Sequence, residues 1–143
     1  DTYGHQEGDN VLRCVGDVLK DHCKRAGDKA FRIGGEEFGI VFSGKTPDKV
    51  REYGEVIRKA IEGLNIEHSL NSASPFVTCS AGLYSIDFSD GSGNVESLED
   101  IFRIADEALY KAKQEGRNRI VAAHCVPSKE CGCREYESCV KCS

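Results

Sequence analysis

The sequence predicts an α/β fold in which helices cover a sheet, and two patterns support this class. Three segments repeat apolar residues with a helical period, and short runs rich in β-branched and aromatic residues lie between them. The resulting order is helix, β-hairpin, helix, strand, helix, strand, which is typical of layered α/β domains. With 143 residues, of which 39% are hydrophobic and 30% charged, the chain is long enough to bury the core of one domain.

Each predicted helix has recognisable end signals. The first is predicted over residues 9–26, with Asp9 as N-cap and Gly27 as the stop. The second begins at Thr46 and Pro47, a capping hydroxyl followed by proline at the first helical position. The third begins at residues 97–100, which resemble a capping box, and Gly116 closes it. The apolar positions are Val11, Leu12, Val15, Val18 and Leu19 in the first helix, Val50, Tyr53, Ile57, Ile61 and Leu64 in the second, and Leu98, Ile101, Phe102, Ala105, Leu109 and Ala112 in the third.

The strands are predicted from shorter apolar runs. Residues 29–33 and 37–42 flank Gly34, Gly35 and Glu36, which predicts a β-hairpin. Residues 76–86 are rich in β-branched, aromatic and small side chains and predict a further strand. A polar, glycine-rich surface loop is expected at 87–96, and the last short strand at 119–123.

Charge and hydropathy exclude two classes of partner. The net charge of −5 argues against a protein that binds nucleic-acid backbones or anionic membranes. No apolar run approaches the roughly 20 residues that span a bilayer, so we expect no direct membrane span.

The cysteines divide the chain into a domain over residues 1–123 and a tail over 124–143. Three cysteines are scattered through the domain, and five crowd into the tail, where the periodicity disappears. Four of the tail thiols are closely spaced and could bind Zn²⁺ or an iron–sulfur cluster, although the spacing is not that of a standard finger. A redox-sensitive or disulfide-linked tail, and a disordered end without function, remain open alternatives. The four candidate ligands are Cys131, Cys133, Cys139 and Cys142.

The most informative segment for chemistry is the predicted hairpin turn. Gly34 and Gly35 allow a tight turn and a close approach of the backbone to a ligand. Glu36 and Glu37 follow directly, and Mg²⁺ commonly binds one or two such carboxylates together with substrate phosphates. Taken alone, the five residues ending in Phe38 favour a tight turn that carries solvated acids over a metal site.

Several motifs along residues 1–123 change that assessment. Together, and in the same order, they resemble those of the GGDEF family of diguanylate cyclases, and the family's signature is present here as GGEEF. Tyr3-Gly4-His5 and Gly8-Asp9 match the family's YGH…GD segment, and Arg32 precedes the glycines as in the family's R-x-GG. Residues 78–83 (TCSAGL) resemble its T-x-S-x-G strand, and residues 106–118 (DEALYKAKQEGRN) its final helix and turn.

The resemblance implies a nucleotide-cyclase, palm-like fold with a central, mainly antiparallel sheet flanked by helices. It implies a bacterial signalling enzyme that works as a homodimer with Mg²⁺ or Mn²⁺. Each domain holds one GTP with two metal ions, and two attacks of a 3′-hydroxyl on an α-phosphate give cyclic di-GMP and two pyrophosphates. The resemblance also implies an upstream sensor domain. It implies a cytoplasmic location for this domain, either in a soluble protein or in the cytoplasmic part of a membrane-anchored receptor.

The resemblance also assigns roles at the turn. Glu36 and Glu37 correspond to the metal-binding acids, one of which is expected to help deprotonate the attacking hydroxyl. Gly34 and Gly35 are expected to leave room for the triphosphate.

Three further residues are assigned to nucleotide binding. Asp9 matches a guanine-contacting Asp, which would accept hydrogen bonds from guanine and reject adenine. Lys113 and Arg117 match basic residues that hold the terminal phosphates, and the Arg fork suits phosphate oxygens. Each also has a structural explanation. Asp9 could cap a helix, and the two cations could stabilise a helix C-terminus by interacting with the helix dipole.

A possible inhibitory site precedes the hairpin. Arg25 and Asp28 match the family's RxxD motif, where cyclic di-GMP binds and blocks catalysis; the alternative is a solvated helix end. In some members an Arg on the next helix completes this site from the partner, but here Val56 stands at that position with Arg58 nearby.

The family's first strand and its metal-binding Asp would lie before Asp1, so the 143 residues alone are expected to form a poor or inactive enzyme. We therefore interpret the sequence as part of a longer polypeptide or a truncated product. The main functional hypothesis is a diguanylate cyclase. The alternative is a catalytically silent GGDEF domain that binds cyclic di-GMP at Arg25 and Asp28 and signals by contact.

Overall fold

The three predicted helices and the hairpin are present in a computed structural model, which describes residues 2–68, 73–86 and 97–123. The mixed α/β fold class is confirmed. In chain order the elements are α1 (Thr2–His22), β1 (Lys29–Gly34), β2 (Glu37–Val41), α2 (Pro47–Glu62), β3 (Ala81–Leu83), α3 (Leu98–Gln114) and β4 (Ile120–Ala122).

Helix α1 differs from its prediction at both ends. It begins at Thr2 rather than Asp9, so Asp9 lies inside the helix and is not its N-cap. Residues 2–8 contain no proline, and their two glycines lower helix propensity by only about 1 kcal/mol each. The helix ends at His22, before the predicted stop at Gly27, and the Cys23 N–H closes it with a tighter bond to the Lys20 carbonyl.

Helices α2 and α3 begin where their capping residues predict. Thr46 and Ser97 have extended backbones, and their hydroxyls accept hydrogen bonds from the N–H groups of Lys49 and Asp100. Pro47 occupies the first turn of α2. At the other end of α3, Glu115 is the C-cap and Gly116 has a φ of 112°.

Strands β1 and β2 form an antiparallel hairpin that packs on α1. The register runs from Lys29 opposite Val41 to Arg32 opposite Phe38, and it shifts before Gly34 pairs with Glu37. A buried cluster lies between the hairpin and helices α1 and α2. Its buried members are Leu19, Ile57 and Ile61, surrounded by Val15, Val18, Phe38, Ile40, Phe42, Tyr53, Val77 and Cys79.

The strand predicted over 76–86 is shorter in the structure. Only Ala81–Leu83 is a regular strand, paired in parallel with β4, and Phe76 adds an isolated bridge to Glu67. Helix α3 covers this pair through Ala108 and Ala112, which pack against Val121. At its beginning the predicted apolar stripe is exposed, since Leu98 is 70% accessible.

Within the described ranges, the β1–β2 hairpin and the β3–β4 pair form separate two-stranded sheets. No helix in these ranges has the length and apolar character needed to cross a bilayer. The loop predicted at 87–96 and the tail at 124–143, with its candidate ligands Cys131, Cys133, Cys139 and Cys142, lie outside the described residues.

Candidate functional site

The hairpin turn holds two exposed carboxylates on a fixed backbone. Gly34 pairs with Glu37 at the end of the ladder, and Gly35 has a φ of 53°, a conformation that favours glycine. Arg32 fixes this turn, because its Nε and Nη2 donate to the Gly35 carbonyl oxygen at 2.9 and 2.6 Å. The space beside both glycines is open, since a Cβ at either position would meet no atom within 4 Å. A ligand can therefore approach the turn backbone closely.

The donor set at the turn fits a magnesium ion bound to phosphates. Glu36 and Glu37 are both exposed. Among the residues that the structure describes, no group of three or more His, Cys, Asp and Glu side chains forms a complete cage. Mg²⁺ usually takes one or two carboxylates and completes its octahedron with water and substrate phosphate oxygens. The two glutamates thus suit a metal that arrives with a nucleotide.

The two predicted phosphate-binding cations lie at the C-terminal end of α3. Lys113 is half-buried in the last turn of the helix, and Arg117 is exposed just beyond it. The Arg117 N–H donates to the Ala112 carbonyl at 3.0 Å, which fixes the backbone, while no ion pair of its side chain is recorded within the described ranges. The guanidinium is thus available to an anion.

The acidic and basic groups assigned to the nucleotide do not pair with one another in the part of the chain that the structure describes. No hydrogen bond or ion pair within the described ranges joins Glu36 or Glu37 to Lys113 or Arg117. Asp9 is exposed on α1, where it has no recorded hydrogen bond within the same ranges. None of the acids is therefore neutralised by the cations assigned to the same nucleotide.

The Arg25–Asp28 turn places its two side chains very differently. Asp28 is only 5% exposed, and its carboxylate accepts from the Arg25 N–H at 3.3 Å and pairs with Lys45 Nζ at 3.4 Å. Lys45 is itself held over the rings of Phe42 and Tyr53, with its Nζ 4.8 and 5.1 Å from their centroids. The Arg25 side chain, in contrast, is exposed.

Burial alone would raise the pKa of Asp28. The hydrogen bonds from the Arg25 backbone and the Lys45 ammonium outweigh this effect and hold the pKa below its usual value. Asp28 is therefore ionised at neutral pH, and it anchors the turn that presents Arg25.

Arg58 is committed to its own domain. Its side chain is only 13% exposed and donates to Glu55, Glu62 and Asn118. Val56 is exposed on α2. Val56 has no guanidinium, and that of Arg58 is bonded within the domain, so neither residue offers a free guanidinium to a partner.

Sequence comparison decides the family. The family model described as "Diguanylate cyclase, GGDEF domain" matches residues 1–119. The chain belongs to the GGDEF family. This membership confirms the resemblance that the motifs indicated.

Named relatives and solved structures of GGDEF proteins agree with this assignment. The chain is 38% identical over 123 residues to diguanylate cyclase DgcM of Escherichia coli K12, and 39% identical over 120 residues to diguanylate cyclase A of Treponema denticola. These matches cover 86% and 84% of the chain but only 27% and 30% of the relatives. The chain thus spans less than a third of the length of these curated relatives.

Two solved structures share the fold. The GGDEF domain of DgcB from Caulobacter crescentus, in complex with c-di-GMP, has 34% identity and a TM-score of 0.69, with 85% of this chain and 68% of that chain covered. The active GGEEF domain of a diguanylate cyclase from Vibrio cholerae has 30% identity and a TM-score of 0.67, with 87% and 74% covered.

Three residues that contact or adjoin the candidate site residues received no role from the sequence. The role of Arg32 follows from its bonds to the turn, and those of Lys45 and Asn118 from contacts with residues distant along the chain. The R-x-GG spacing was a signal for Arg32. For Lys45 and Asn118 no local pattern indicates the partner, because the contacts span 17 and 60 positions.

Proposed function

We propose that this GGDEF domain acts as a diguanylate cyclase on GTP. Two GTP-loaded domains face each other as a homodimer, and the 3′-hydroxyl of each GTP attacks the α-phosphate of the other. Each attack forms one phosphorus–oxygen bond, breaks the bond to the β-phosphate and releases pyrophosphate, so that two attacks produce cyclic di-GMP. The observation that carries the proposal is the open GGEEF turn, on which Arg32 fixes the backbone beside two exposed carboxylates.

The residues at the turn would position the reacting phosphate. Glu36 and Glu37 would hold Mg²⁺ or Mn²⁺, and one of them would accept the proton of the attacking hydroxyl. The metal, when bound, supplies neutralisation of the charge that develops on the phosphates. Gly34 and Gly35 would let the triphosphate pass close to the backbone, since no side chain fills that space.

The other site residues would bind the ends of the nucleotide. Lys113 and the exposed Arg117 would hold the terminal phosphates, the second through its planar fork. Asp9 would accept hydrogen bonds from the N1 and N2 groups of guanine, and adenine offers an acceptor at N1 instead. We therefore expect Asp9→Ser to reduce the preference for GTP over ATP, measured as the ratio of the two kcat/KM values.

The test is cyclic di-GMP formation, followed by chromatography with mass detection, in the natural polypeptide that contains this chain. Glu37→Gln should lower kcat by at least about 100-fold, because several kcal/mol of charge stabilisation are lost. Glu52→Gln is the matched control, since Glu52 is an exposed acid on α2. EDTA should abolish turnover and Mg²⁺ should restore it. Undetectable product with either Mg²⁺ or Mn²⁺ would overturn the proposal.

Product inhibition is proposed at the Arg25–Asp28 turn. The exposed Arg25 would contact phosphate or guanine, whereas a guanine edge at Asp28 has to compete with Lys45 for the carboxylate. Arg25→Ala should weaken inhibition by added cyclic di-GMP about 10-fold or more, the size expected for a lost charge-assisted contact. Lys24→Ala, which removes a neighbouring exposed cation, should leave the inhibition constant unchanged.

A silent signalling module is the second candidate, and the c-di-GMP complex of the DgcB neighbour favours it as a binding function. Cyclic di-GMP binding without GTP turnover would support this candidate. The greater length of the curated relatives supports a longer natural protein, and we propose that it carries a sensor domain.

Metal binding by the cysteine-rich tail remains a prediction. Zinc or iron found by elemental analysis of the purified protein would support a metal site there. Absence of both metals, with all five tail thiols freely reactive, would exclude it.

A further inference from the structure

The turn after α3 has an uncommon backbone. Gly116, Arg117 and Asn118 follow one another with φ values of 112°, 62° and 46°. Glycine adopts such values readily, but Arg and Asn enter the left-handed region only at some conformational penalty. Residues of this kind persist where the surrounding structure determines their conformation. The Arg117 N–H donates to the Ala112 carbonyl of α3, and interactions from other elements hold the segment at Asn118.

Asn118 is the point at which other elements hold the turn. Its N–H donates to Ser80 Oγ at 3.2 Å, and its Nδ2 donates to Glu62 Oε1 at 2.9 Å. Its Oδ1 accepts from Arg58 Nη1 at 2.7 Å. The backbone and both ends of the side-chain amide are thus bonded, to residues that lie 38 to 60 positions earlier in the chain.

Arg58 organises this network from helix α2. Its Nε donates to Glu55 at 3.0 Å, and its Nη1 is shared between Glu62 at 3.0 Å and Asn118. The Arg58 side chain is only 13% exposed, whereas the side chains of Glu55 and Glu62 are 40% and 39% exposed, so the guanidinium end of each bond is the shielded one. Arg58 therefore fixes both the Asn118 amide and the glutamate that binds its other end.

We propose that Arg58 is a positioning residue for nucleotide binding, which acts through Asn118 to hold Arg117 where its guanidinium meets the terminal phosphates. The proposal rests on the proposed function for the role of Arg117. It adds that phosphate affinity depends on a residue of another helix that does not touch the nucleotide. Truncation of Arg58 should thus weaken ground-state binding more than it slows the chemical step.

The kinetic test compares two arginines with the same helical pairing. Arg58 pairs with acids three residues before and four after it, and Arg103 does the same on α3 with Asp100 and Glu107, but at an exposed position. In the natural polypeptide, Arg58→Met should raise the KM for GTP about 10-fold and change kcat less than about 3-fold, the pattern of lost uniform binding. Arg103→Met should leave both constants unchanged.

A double-mutant cycle separates positioning from a general loss of stability. In an Arg117→Ala background, Arg58→Met should change the KM less than about 2-fold, because the group it positions is absent. An equal increase in both backgrounds would overturn the proposal. Asn118→Gly provides a second variant, since it removes both side-chain bonds but tolerates the left-handed backbone, and it too should raise the KM.

Hydrogen exchange gives a readout that needs no activity. Arg58→Met should accelerate exchange at the amides of Arg117 and Asn118, whereas the Glu115 amide, bonded to the Lys111 carbonyl, should be unchanged. Unchanged protection of Arg117 and Asn118 would refute the positioning role even if the protein turns over GTP. If the unsubstituted protein makes no cyclic di-GMP, the proposed function fails, and exchange still decides whether Arg58 holds the turn.

Discussion

Gly82→Ala should be among the most destabilising single-methyl additions in this domain. Gly82 lies in β3, directly under α3. A Cβ at this position would overlap the Ala105 carbonyl oxygen and the Leu109 nitrogen, and would lie 3.1 Å from the Ala105 carbonyl carbon. All three are backbone atoms, so no rotamer change can relieve the overlap. The helix and the strand must move apart instead.

The expected size follows from the effects on the folded and unfolded states. Overpacking a rigid interior costs roughly 1–3 kcal/mol, and a clash with helix backbone belongs at the upper end of that range. Replacing glycine reduces the entropy of the unfolded chain and returns about 0.4–1 kcal/mol. We therefore expect a net loss of about 2 kcal/mol in the free energy of unfolding. Because β3 pairs with β4 and α3 carries Lys113, the KM for GTP should rise as well.

Urea unfolding followed by circular dichroism measures this loss. Gly54→Ala is the control, because its Cβ would meet only side-chain atoms, Cδ1 of Ile120 at 2.6 Å and Cγ1 at 4.0 Å, and no backbone. Alanine also gains about 1 kcal/mol of helix propensity in α2. Its unfolding midpoint should stay close to that of the parent protein. A Gly82→Ala midpoint equal to the parent's, or an equally large fall in Gly54→Ala, would refute the packing argument.

Three further predictions concern single groups. Burial raises the pKa of Cys79 to about 11, so at pH 8 iodoacetamide should modify Cys79 at least about 100-fold more slowly than the exposed Cys14, as judged by mass spectrometry. The pKa of Asp28 is lowered from 3.8, because its hydrogen bonds outweigh the desolvation that would raise it. The ionised carboxylate therefore stabilises the folded state above about pH 4, and this contribution is lost as the pH falls through the folded-state pKa. Asp28→Asn should therefore flatten the acid limb of a stability–pH curve, and an unchanged limb would contradict the Lys45 pairing. Ser97→Ala should lower the free energy of unfolding by about 1 kcal/mol in chemical denaturation, and an unchanged value would show that the cap contributes nothing.

The parts of the fold that were predictable depend on short-range chemistry. The Thr46 and Ser97 caps satisfy N–H groups three residues away, so the local sequence contains both partners. The hairpin was predictable for the same reason, since the two glycines fall between two apolar runs. The positions of Glu36 and Glu37 followed from the turn.

What was not predictable depends on partners distant in sequence. The N-terminal extension of α1 comprises residues 2–8, which contain no proline and no strong start signal. The interpretation of Asp9 as the cap is therefore wrong. The length of β3 depends on the few residues that pair with β4. The Lys45–Asp28 pair spans 17 positions and has no periodicity that would reveal it.

One arrangement recurs at the places where this GGDEF domain would meet a ligand. Arg32 bonds the turn backbone beside Glu36 and Glu37, so neither carboxylate is needed to stabilise the turn and both remain exposed.

At the C-terminal end of α3 the same division applies. Arg58 and Asn118 hold the left-handed segment, and the Arg117 side chain is left for an anion. At the first turn after α1, Lys45 forms an ion pair with Asp28, and the Arg25 side chain is exposed. In each case a cation of the same domain bonds the turn backbone, a side-chain amide or a buried acid, and the neighbouring charged group keeps its full capacity for a ligand. Substitution of the supporting cations should therefore disturb the geometry of binding, whereas substitution of the exposed groups should remove the binding contact itself.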